Sequence, residues 1–301
     1  MKRVVTLGTL REDIVIGYDF SVPMDKMEKE LIKLKKTIGG SVHNTCYFLA
    51  SYDYRIEVTL CTLNYFDLVE ALKRRICCDN YNVLTTSEVL CEYPLSIIGL
   101  KNDGDKQMIS YDPKTEEDGL MELFGKESRN ADVLYTSFYE INERNYESIA
   151  KIFSEALNTE KVIMVDLCPL LCRINDNVLR TVLSKTTIIS GNEIEFETLT
   201  QRICQGRIEY LFKEFPQVEG IYVKKGKLGA SLYTQSVQGE LAELFIKVKE
   251  AETQNTTGCG DVFNAVLIDC FLNNEQPGKA LEYAVDESEK IAEGGLPWIK
   301  E

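Results

Sequence analysis

Histidine is nearly absent from this chain, which limits the chemistry available to the protein. His43 is the only histidine among 301 residues. A Ser-His-Asp triad and a metal cluster built from several histidines are therefore both disfavoured. Cysteine is plentiful, with ten residues, but no two of them form a Cys-x2-Cys pair. A structural zinc site is not expected for that reason, and most of the cysteines are expected to be buried, reduced thiols.

Long apolar runs are also missing. No stretch approaches the roughly 20 apolar residues that span a bilayer, and the first residues lead into a strand rather than the apolar core of a signal peptide. Acidic residues outnumber basic ones by 48 to 34, so the net charge is −14. This charge disfavours nucleic-acid and anionic-membrane partners. We therefore expect a cytoplasmic protein with no membrane and no nucleic acid among its partners.

What the chain does contain is a regular alternation of short apolar strands and helical segments. Its 301 residues, 44% of them hydrophobic, suffice for one domain over 1–301, and no linker divides them. The alternation predicts the α/β class, with a doubly wound, mostly parallel sheet that carries helices on both faces. Ligands of such sheets bind at the carboxyl ends of the strands. The strands predicted in the second half are 133–136, 161–167, 186–190, 220–224 and 231–234.

The seven residues from Asn255 to Asp261 lie between a predicted strand and a predicted helix. Gly258 and Gly260 lack a Cβ, so a bulky anion can approach their backbone. The first amides of a helix have no internal partner, and with the helix dipole they form an anion site. A carboxylate beside a phosphate is unfavourable without a chemical role, and Asp261 could take a proton from a hydroxyl that attacks phosphorus. Alone, this turn also fits an ordinary strand-to-helix connection.

The same segment resembles the signature of the ribokinase-like (PfkB) family of carbohydrate kinases. That signature is commonly Asp-Thr-x-Gly-Ala-Gly-Asp with a Phe two residues later. The matching residues are Thr256, Gly258, Gly260, Asp261 and Phe263, whereas Asn255 and Cys259 depart from it. The resemblance implies that Asp261 is the general base and that the amides of Gly258, Cys259 and Gly260 bind the transferring phosphoryl group. It also implies that Thr257 lies beside the nucleotide.

Residues near the N-terminus resemble the part of the family that binds the acceptor. Gly39, Gly40 and Asn44 match Gly-Gly-x-x-x-Asn before a helix. The glycines let the backbone approach a sugar, and the Asn44 amide offers a donor and an acceptor to hydroxyls. Asp13, after the first strand, matches an aspartate that grips substrate hydroxyls, although by itself it also fits a solvated turn. For His43 we favour a structural place at the start of the helix.

Two later segments resemble the nucleotide site of the family. Asn192 and Glu195 match Asn-x-x-Glu, whose glutamate organises magnesium through water. One well-placed glutamate is sufficient, because magnesium keeps several waters; the alternative is a helix start with acidic residues that suit its dipole. The segment from Lys224 resembles Thr-x-Gly-x-x-Gly, with Lys224 in place of the threonine and with Gly226 and Gly229 retained. The lysine would either contact phosphate or be solvated.

A small sheet apart from the main one is predicted from segments at about 14–20 and 94–112. Asp-Gly between two apolar runs in the second segment is a strong hairpin signal. In the family such a sheet is a lid over the substrate and often a dimer interface, so a homodimer through the lid is possible. The alternative is a hairpin at the edge of the main sheet. A short charged helix is predicted over 25–36.

The combined motifs imply an ATP-dependent, magnesium-requiring kinase that phosphorylates a hydroxyl of a sugar, with a nucleoside as the close alternative. A catalytically silent homologue that binds a nucleotide or sugar is a rival, because Asn255 and Lys224 depart from the motifs above. In addition, Cys168 replaces the Asn of a strand end that resembles the family's Asp-x-Asn-x. An unrelated doubly wound dinucleotide binder lacks support, because Gly8 does not begin a Gly-x-Gly-x-x-Gly turn.

The acceptor is expected to carry no phosphate. A second phosphate would need a fixed basic partner, and Arg11 is the only cation close in sequence to the acceptor motifs. In an extended segment Arg11 and Asp13 point the same way, so these two could pair with each other. A nucleobase would want an aromatic or apolar wall, for which Tyr18, Phe20 and Ile98 are candidates unless they form the lid core.

Overall fold

The computed structural model describes residues 1–17, 33–100, 106–113, 119–236, 238–249 and 256–294. The strands are β1 (Lys2–Leu7), β2 (Arg11–Gly17), β3 (Lys33–Gly39), β4 (Ile56–Tyr65), β5 (Tyr81–Leu90), β6 (Leu95–Leu100), β7 (Lys106–Tyr111), β8 (Val133–Ser137), β9 (Val162–Asp166), β10 (Ile188–Asn192), β11 (Gly220–Lys224), β12 (Gly229–Gln235) and β13 (Leu241–Lys247). The α-helices are α1 (Ser41–Tyr52), α2 (Phe66–Lys73), α3 (Leu120–Ser128), α4 (Tyr146–Leu157), α5 (Asp176–Leu183), α6 (Glu193–Ile203), α7 (Glu209–Glu214), α8 (Cys259–Leu272) and α9 (Pro277–Gly294).

The main sheet has nine strands in the order β13-β12-β11-β10-β9-β8-β1-β4-β5. All neighbours pair in parallel except β11 with β12 and β12 with β13, which are antiparallel. The central strands are buried on both faces, as in a sheet covered by helices on each side, and every residue of β8 is buried. The predicted doubly wound, mostly parallel α/β sheet is confirmed.

A second sheet of four strands stands apart from the main one, in the order β3-β2-β6-β7. The predicted hairpin is present, since β6 and β7 pair antiparallel, and its turn lies outside the described residues. The expected strand near 14–18 is β2, which pairs in parallel with β6. The alternative of an edge hairpin on the main sheet is therefore wrong.

The helix predicted over 25–36 is wrong where the structure describes it. Residues 33–39 form the strand β3, which pairs antiparallel with β2, and Asp13 lies opposite Thr37. The spacing of Met27, Leu31 and Leu34 favoured a helix, yet pairing with β2 satisfies the backbone of this segment in a different conformation. Residues 25–32 of the predicted helix lie outside the described residues. The small sheet thus includes a third segment that the sequence pattern did not indicate.

Most residues of helix α8 are buried, and the helix packs against α1 and α9 and contacts strands β10 and β11 of the main sheet. A helix that is apolar on all sides is typical of a protein interior. The packing of α8 therefore fixes the position of its first turn. Across the described ranges, no helix combines the length and the apolar character that crossing a membrane requires.

Candidate active site

Asp261, in the first turn of α8, is held by two residues at the start of α1. Ser41 Oγ donates a 2.7 Å hydrogen bond to Asp261 Oδ1, and Asn44 Nδ2 donates a 3.0 Å bond to Oδ2. These contacts join segments more than 200 positions apart in the chain. The structure thus brings the predicted base together with Asn44 of the predicted acceptor site, and it adds Ser41.

The environment of Asp261 raises the pKa of its carboxyl group from 3.8 to about 6. Burial is the largest cause, the hydrogen bonds from Ser41 and Asn44 oppose it, and the charge of Asp166 raises the pKa further. The carboxyl group is therefore ionised at neutral pH but more basic than an exposed aspartate. A group with this pKa is suited to accepting a proton near neutral pH.

We expect kcat/KM to fall as the pH drops through about 6, approaching tenfold per pH unit below it, because a protonated Asp261 cannot accept the acceptor's proton. The sign follows from the raised pKa: the active, ionised form dominates above 6 and is lost below it. Steady-state kinetics between pH 4.5 and 8 measures this. Nucleotide binding followed over the same range separates the titration of Asp261 from that of the nucleotide. A flat profile down to pH 5 would contradict the assignment.

The turn at residues 256–260, which leads into α8, is the predicted anion loop. Gly258 is the N-cap of the helix at φ 83°, a left-handed conformation that favours glycine. The Cys259 amide donates a 3.3 Å bond to Thr256 O, and the Cys259 carbonyl accepts a 3.1 Å bond from Ser288 Oγ of α9. Thr257 lies within this turn. An anion would replace the long turn bond of Cys259, or bind through the neighbouring glycine amides.

A buried hydrogen-bonded chain fixes α8 beneath the loop. Ser190 Oγ of β10 donates to Asn264 Oδ1 at 2.7 Å, and Asn264 Nδ2 donates to the Tyr135 hydroxyl of β8 at 3.1 Å. The Tyr135 hydroxyl also lies 3.4 Å from Thr45 Oγ1 of α1. All four residues are buried. Since buried polar groups are costly to leave unpaired, these hydrogen bonds fix the positions of α8 and α1 relative to the main sheet.

The predicted acceptor residues Asp13, Gly39 and Gly40 lie together next to α1. A Cβ on Gly39 would sit 1.9 Å from Asp13 Oδ2, so the carboxylate packs directly on the glycine backbone. Gly40 has φ 115°, and a Cβ there would come within 2.3 Å of Thr9 O. Gly40 therefore needs glycine for the fold itself, whereas a Cβ at Gly39 would displace the Asp13 carboxylate. Gly40 is also the N-cap of α1, which places these residues next to Ser41 and Asn44.

Asn192 and Glu195 form a capping box at the start of α6. The Glu195 amide donates to Asn192 Oδ1 at 2.9 Å, and the Asn192 amide donates to Glu195 Oε2 at 2.8 Å. The helix start given as the alternative for this motif is therefore present, and Asn192 Nδ2 and Glu195 Oε1 take no part in the capping box. Burial, followed by the charge of Asp166, raises the pKa of Glu195. Since burial and Asp166 both disfavour the ionised form of Glu195, a cation nearby would stabilise that form.

Lys224, at the end of β11, is not solvated. Its Nζ lies 2.8 Å from Asp166 Oδ1 at the end of β9. Gly226 follows in an exposed turn at φ 54°, whereas Gly229 has φ 123° and a Cβ there would meet Ile246 O at 1.9 Å. Gly229 is therefore required by the packing of β12 on β13, and Gly226 by its turn.

His43 has the structural place that was favoured for it. It is buried, its Nδ1 lies 2.8 Å from the Tyr81 hydroxyl, and burial lowers its pKa to about 4. Two residues at the site, Ser41 and Asp166, were not among the predicted site residues. Ser41 follows directly on Gly40, and Asp166 is the next-to-last residue of the predicted strand 161–167, so both residues lie beside features that the sequence indicates. Their partners, however, are distant in sequence.

The donor set fits a magnesium ion held mainly by its nucleotide and water. No group of three or more metal-binding side chains occurs in the described part of the chain. Magnesium usually takes only one or two protein carboxylates together with phosphate oxygens. Glu195, whose pKa is raised by burial and by the charge of Asp166, supplies such a carboxylate. Such an ion would neutralise phosphate charge here.

A mostly parallel nine-stranded sheet with helices and a separate small sheet matches the ribokinase fold. Residues 92–291 match the family model described as pfkB family carbohydrate kinase. The match covers more than half of the chain, so the protein belongs to the PfkB family of carbohydrate kinases. Kinases of this family use ATP. A search of curated protein sequences found no match.

Solved structures share the fold at low sequence identity. A ribokinase from Thermotoga maritima has 17% identity and a TM-score of 0.76, with 99% of this chain and 96% of that chain covered. An adenosine kinase from Anopheles gambiae has 15% identity and a TM-score of 0.78, with 96% and 95% covered. A nucleoside kinase from Burkholderia thailandensis, in complex with inosine, has 14% identity and a TM-score of 0.73, with 98% and 93% covered.

Proposed function

We propose that this protein transfers the terminal phosphoryl group of ATP to a hydroxyl of a neutral sugar, with Asp261 as the general base. The observation that carries the proposal is the pair of hydrogen bonds from Ser41 and Asn44 to Asp261. They hold the carboxylate at the start of α8 and beside residues that match the acceptor motif, which supports this role. A base must lie within reach of both the acceptor hydroxyl and the phosphoryl group, and this position allows it.

In this proposal each predicted residue has a defined task. Asp261 takes the proton of the acceptor hydroxyl while its oxygen attacks phosphorus. The amides of Gly258, Cys259 and Gly260 bind the phosphoryl oxygens, and their positions at a helix start favour negative charge. The acceptor is held by Asp13, Gly39, Gly40 and Asn44. The nucleotide side consists of Asn192, Glu195, Lys224, Gly226, Gly229 and Thr257, with Glu195 organising magnesium through water.

Asn44 uses its Nδ2 on Asp261, so it serves the acceptor mainly by orienting the base. Its Oδ1 can accept a hydrogen bond from a hydroxyl of the acceptor. Asp13 adds a carboxylate for further hydroxyls. This set of acceptors suits a polyol, because sugar hydroxyls donate to carboxylate and amide oxygens.

The charge around the acceptor motifs supports an acceptor without phosphate. Arg11 forms an ion pair with Asp112 of the segment after β7, rather than with Asp13, and Arg11 Nη1 also donates to Leu95 O at 3.4 Å. A phosphate on the acceptor would have to take Arg11 from Asp112. Ile98 is buried in the small sheet, which favours its reading as lid core over that of a nucleobase wall. Tyr18 and Phe20 lie outside the described residues.

Matched acceptor pairs test this proposal. Steady-state kinetics with ATP and magnesium would compare fructose with fructose 6-phosphate, and ribose with several nucleosides. We expect higher kcat/KM for the unphosphorylated sugar of each pair. A preference for the sugar phosphate would contradict the neutral acceptor, and a preference for nucleosides would assign the protein to the nucleoside kinases instead. Absence of turnover with tight nucleotide binding would favour the catalytically silent homologue.

We further propose that the small sheet is a lid and that two copies associate through it. Its strands β3 and β7 expose large apolar side chains, among them Leu34 at 59% and Ile109 at 69% of their surface. Apolar side chains grouped on one exposed sheet suit a protein interface. Analytical ultracentrifugation tests the dimer.

A cytoplasmic location is part of the proposal and is compatible with ten free thiols.

A further inference from the structure

The ion pair of Lys224 and Asp166 crosses the carboxyl end of the strand between them. Asp166 on β9 is level with Ser190 of β10, whereas Lys224 on β11 is level with Asn192, two residues further on. The two side chains therefore meet above the end of β10, at the edge where ligands of such sheets bind. Both are largely buried, with 17% of the Lys224 side chain and 10% of the Asp166 side chain exposed.

The Lys224 ammonium also lies against the anion loop. A Cβ on Gly260 would sit 3.7 Å from Lys224 Nζ. The positive charge of Lys224 acts on Asp261 and on Glu195, and in each it lowers the pKa of the carboxyl group. The ammonium of Lys224 thus interacts with three carboxyl groups, those of Asp166, Asp261 and Glu195. When all four side chains are ionised, their net charge is negative. Its strongest contact is with Asp166.

A purely structural ion pair explains this arrangement poorly. The cost of removing two charges from water largely offsets the attraction between them, so a buried pair contributes little net stability. Lys224 also stands where the matching motif commonly has threonine, which offers one hydroxyl and no charge. A lysine at this position adds a point charge directly beside the loop that would bind the phosphoryl group.

We propose that Lys224 is a catalytic residue that binds the transferring phosphoryl group, and that Asp166 is a positioning residue that holds the Lys224 ammonium beside the anion loop. The inference rests on the proposed function. During transfer the bond from phosphorus to the leaving oxygen of ADP breaks and the bond to the acceptor oxygen forms. The acceptor proton passes to Asp261. Lys224 stays protonated and donates hydrogen bonds to a non-bridging oxygen, where it offsets the charge of the phosphoryl group.

Nucleotide binding tests the assignment of Lys224 without any acceptor. Calorimetry would measure the affinity of wild type, Lys224→Met and Lys224→Arg for ADP and for a non-hydrolysable ATP analogue, each with magnesium. We expect Lys224→Met to lose about 10- to 100-fold in affinity for the triphosphate analogue and no more than about threefold for ADP, because only the analogue carries the terminal phosphate. Lys224→Arg keeps the positive charge, so it should retain part of the wild-type preference for the triphosphate analogue over ADP.

Lys225→Met is the matched control, since it removes the same charge one residue further on. Lys225 Nζ lies 3.4 Å from Glu243 Oε1 and over the Phe245 ring, away from Asp166. We expect Lys225→Met to have the same ratio of affinities for the triphosphate analogue and ADP as wild type.

The assignment would be overturned if Lys224→Met lost affinity for both nucleotides equally, or lost affinity for neither. Failure of wild type to bind either nucleotide would overturn the proposed function itself, and the assignment with it.

Asp166→Asn tests the positioning role. This change removes the competitor for the ammonium, so the triphosphate analogue should bind as tightly as in wild type or more tightly. Turnover should nevertheless fall about tenfold or more, because Lys224 is no longer held beside the loop. A merely structural pair would instead show lower thermal stability with unchanged kcat and KM, and that result would overturn the role of Asp166.

Discussion

Asp261→Asn is expected to lose about 10²–10⁴-fold in kcat while it keeps the fold and nucleotide binding. The asparagine has nearly the same shape, so Ser41 Oγ can still donate to its side-chain oxygen, and a turned Asn44 amide can accept from its new NH2 group. It cannot accept the proton of the acceptor hydroxyl. Because the pKa of Asp261 is raised in the folded protein, ionised Asp261 costs stability at neutral pH, and the variant should be at least as stable as wild type.

Asp269→Asn is the matched control for that experiment. Asp269 lies on the same helix α8, and its pKa is likewise raised to about 6, with burial and the neighbouring Asp53 as the main causes. It is eight residues further along the helix, roughly 12 Å from Asp261, and belongs to a cavity of about 390 Å³ at the opposite end of the helix. Its kcat should stay within a few-fold of wild type. Turnover of Asp261→Asn at the wild-type rate would show that another group is the base.

Gly260→Ala is expected to separate stability from activity. A Cβ there would meet no atom closer than 3.7 Å, and Gly260 is not in the left-handed region, so alanine fits the unliganded loop. Alanine in a helix stabilises by up to about 0.5–1 kcal/mol relative to glycine. In the proposed function, however, the added methyl group would stand where the phosphoryl group approaches the backbone. A displacement of about 1 Å can cost about 10²-fold in rate.

Two alanine variants control for glycine replacement in general. Gly125→Ala lies in α3, remote from the loop, where the new Cβ would meet Ile152 at 3.4 Å, and it should leave kcat unchanged. Gly258→Ala should lower the melting temperature, because Gly258 has φ 83°. Thermal unfolding and steady-state kinetics on the three variants give both readouts. A Gly260→Ala enzyme with wild-type kcat/KM would show that no phosphoryl group comes close to this backbone.

Local chemistry made much of the fold predictable. Strand β11 has the predicted bounds of Gly220–Lys224, and strand β8 extends the predicted 133–136 by one residue. Both are regular apolar segments whose period alone indicates their type. The charged segment that includes β3 was mistaken for a helix because its partner, β2, lies elsewhere in the chain, and periodicity carries no information about strand pairing.

The motifs around Asp261, Asn44, Glu195 and Gly229 could be recognised in the sequence because each is contiguous, and a few neighbouring residues determine a turn or a helix start. The sequence by itself therefore determined the α/β class, the family resemblance and the residues to test. Only the tertiary structure decided which side chains meet: Ser41 with Asp261, Lys224 with Asp166, and Arg11 with Asp112 instead of Asp13. These contacts join positions 58 to 220 residues apart. The physical reason is that strand order and helix packing bring such residues together, and neither is encoded in any local stretch.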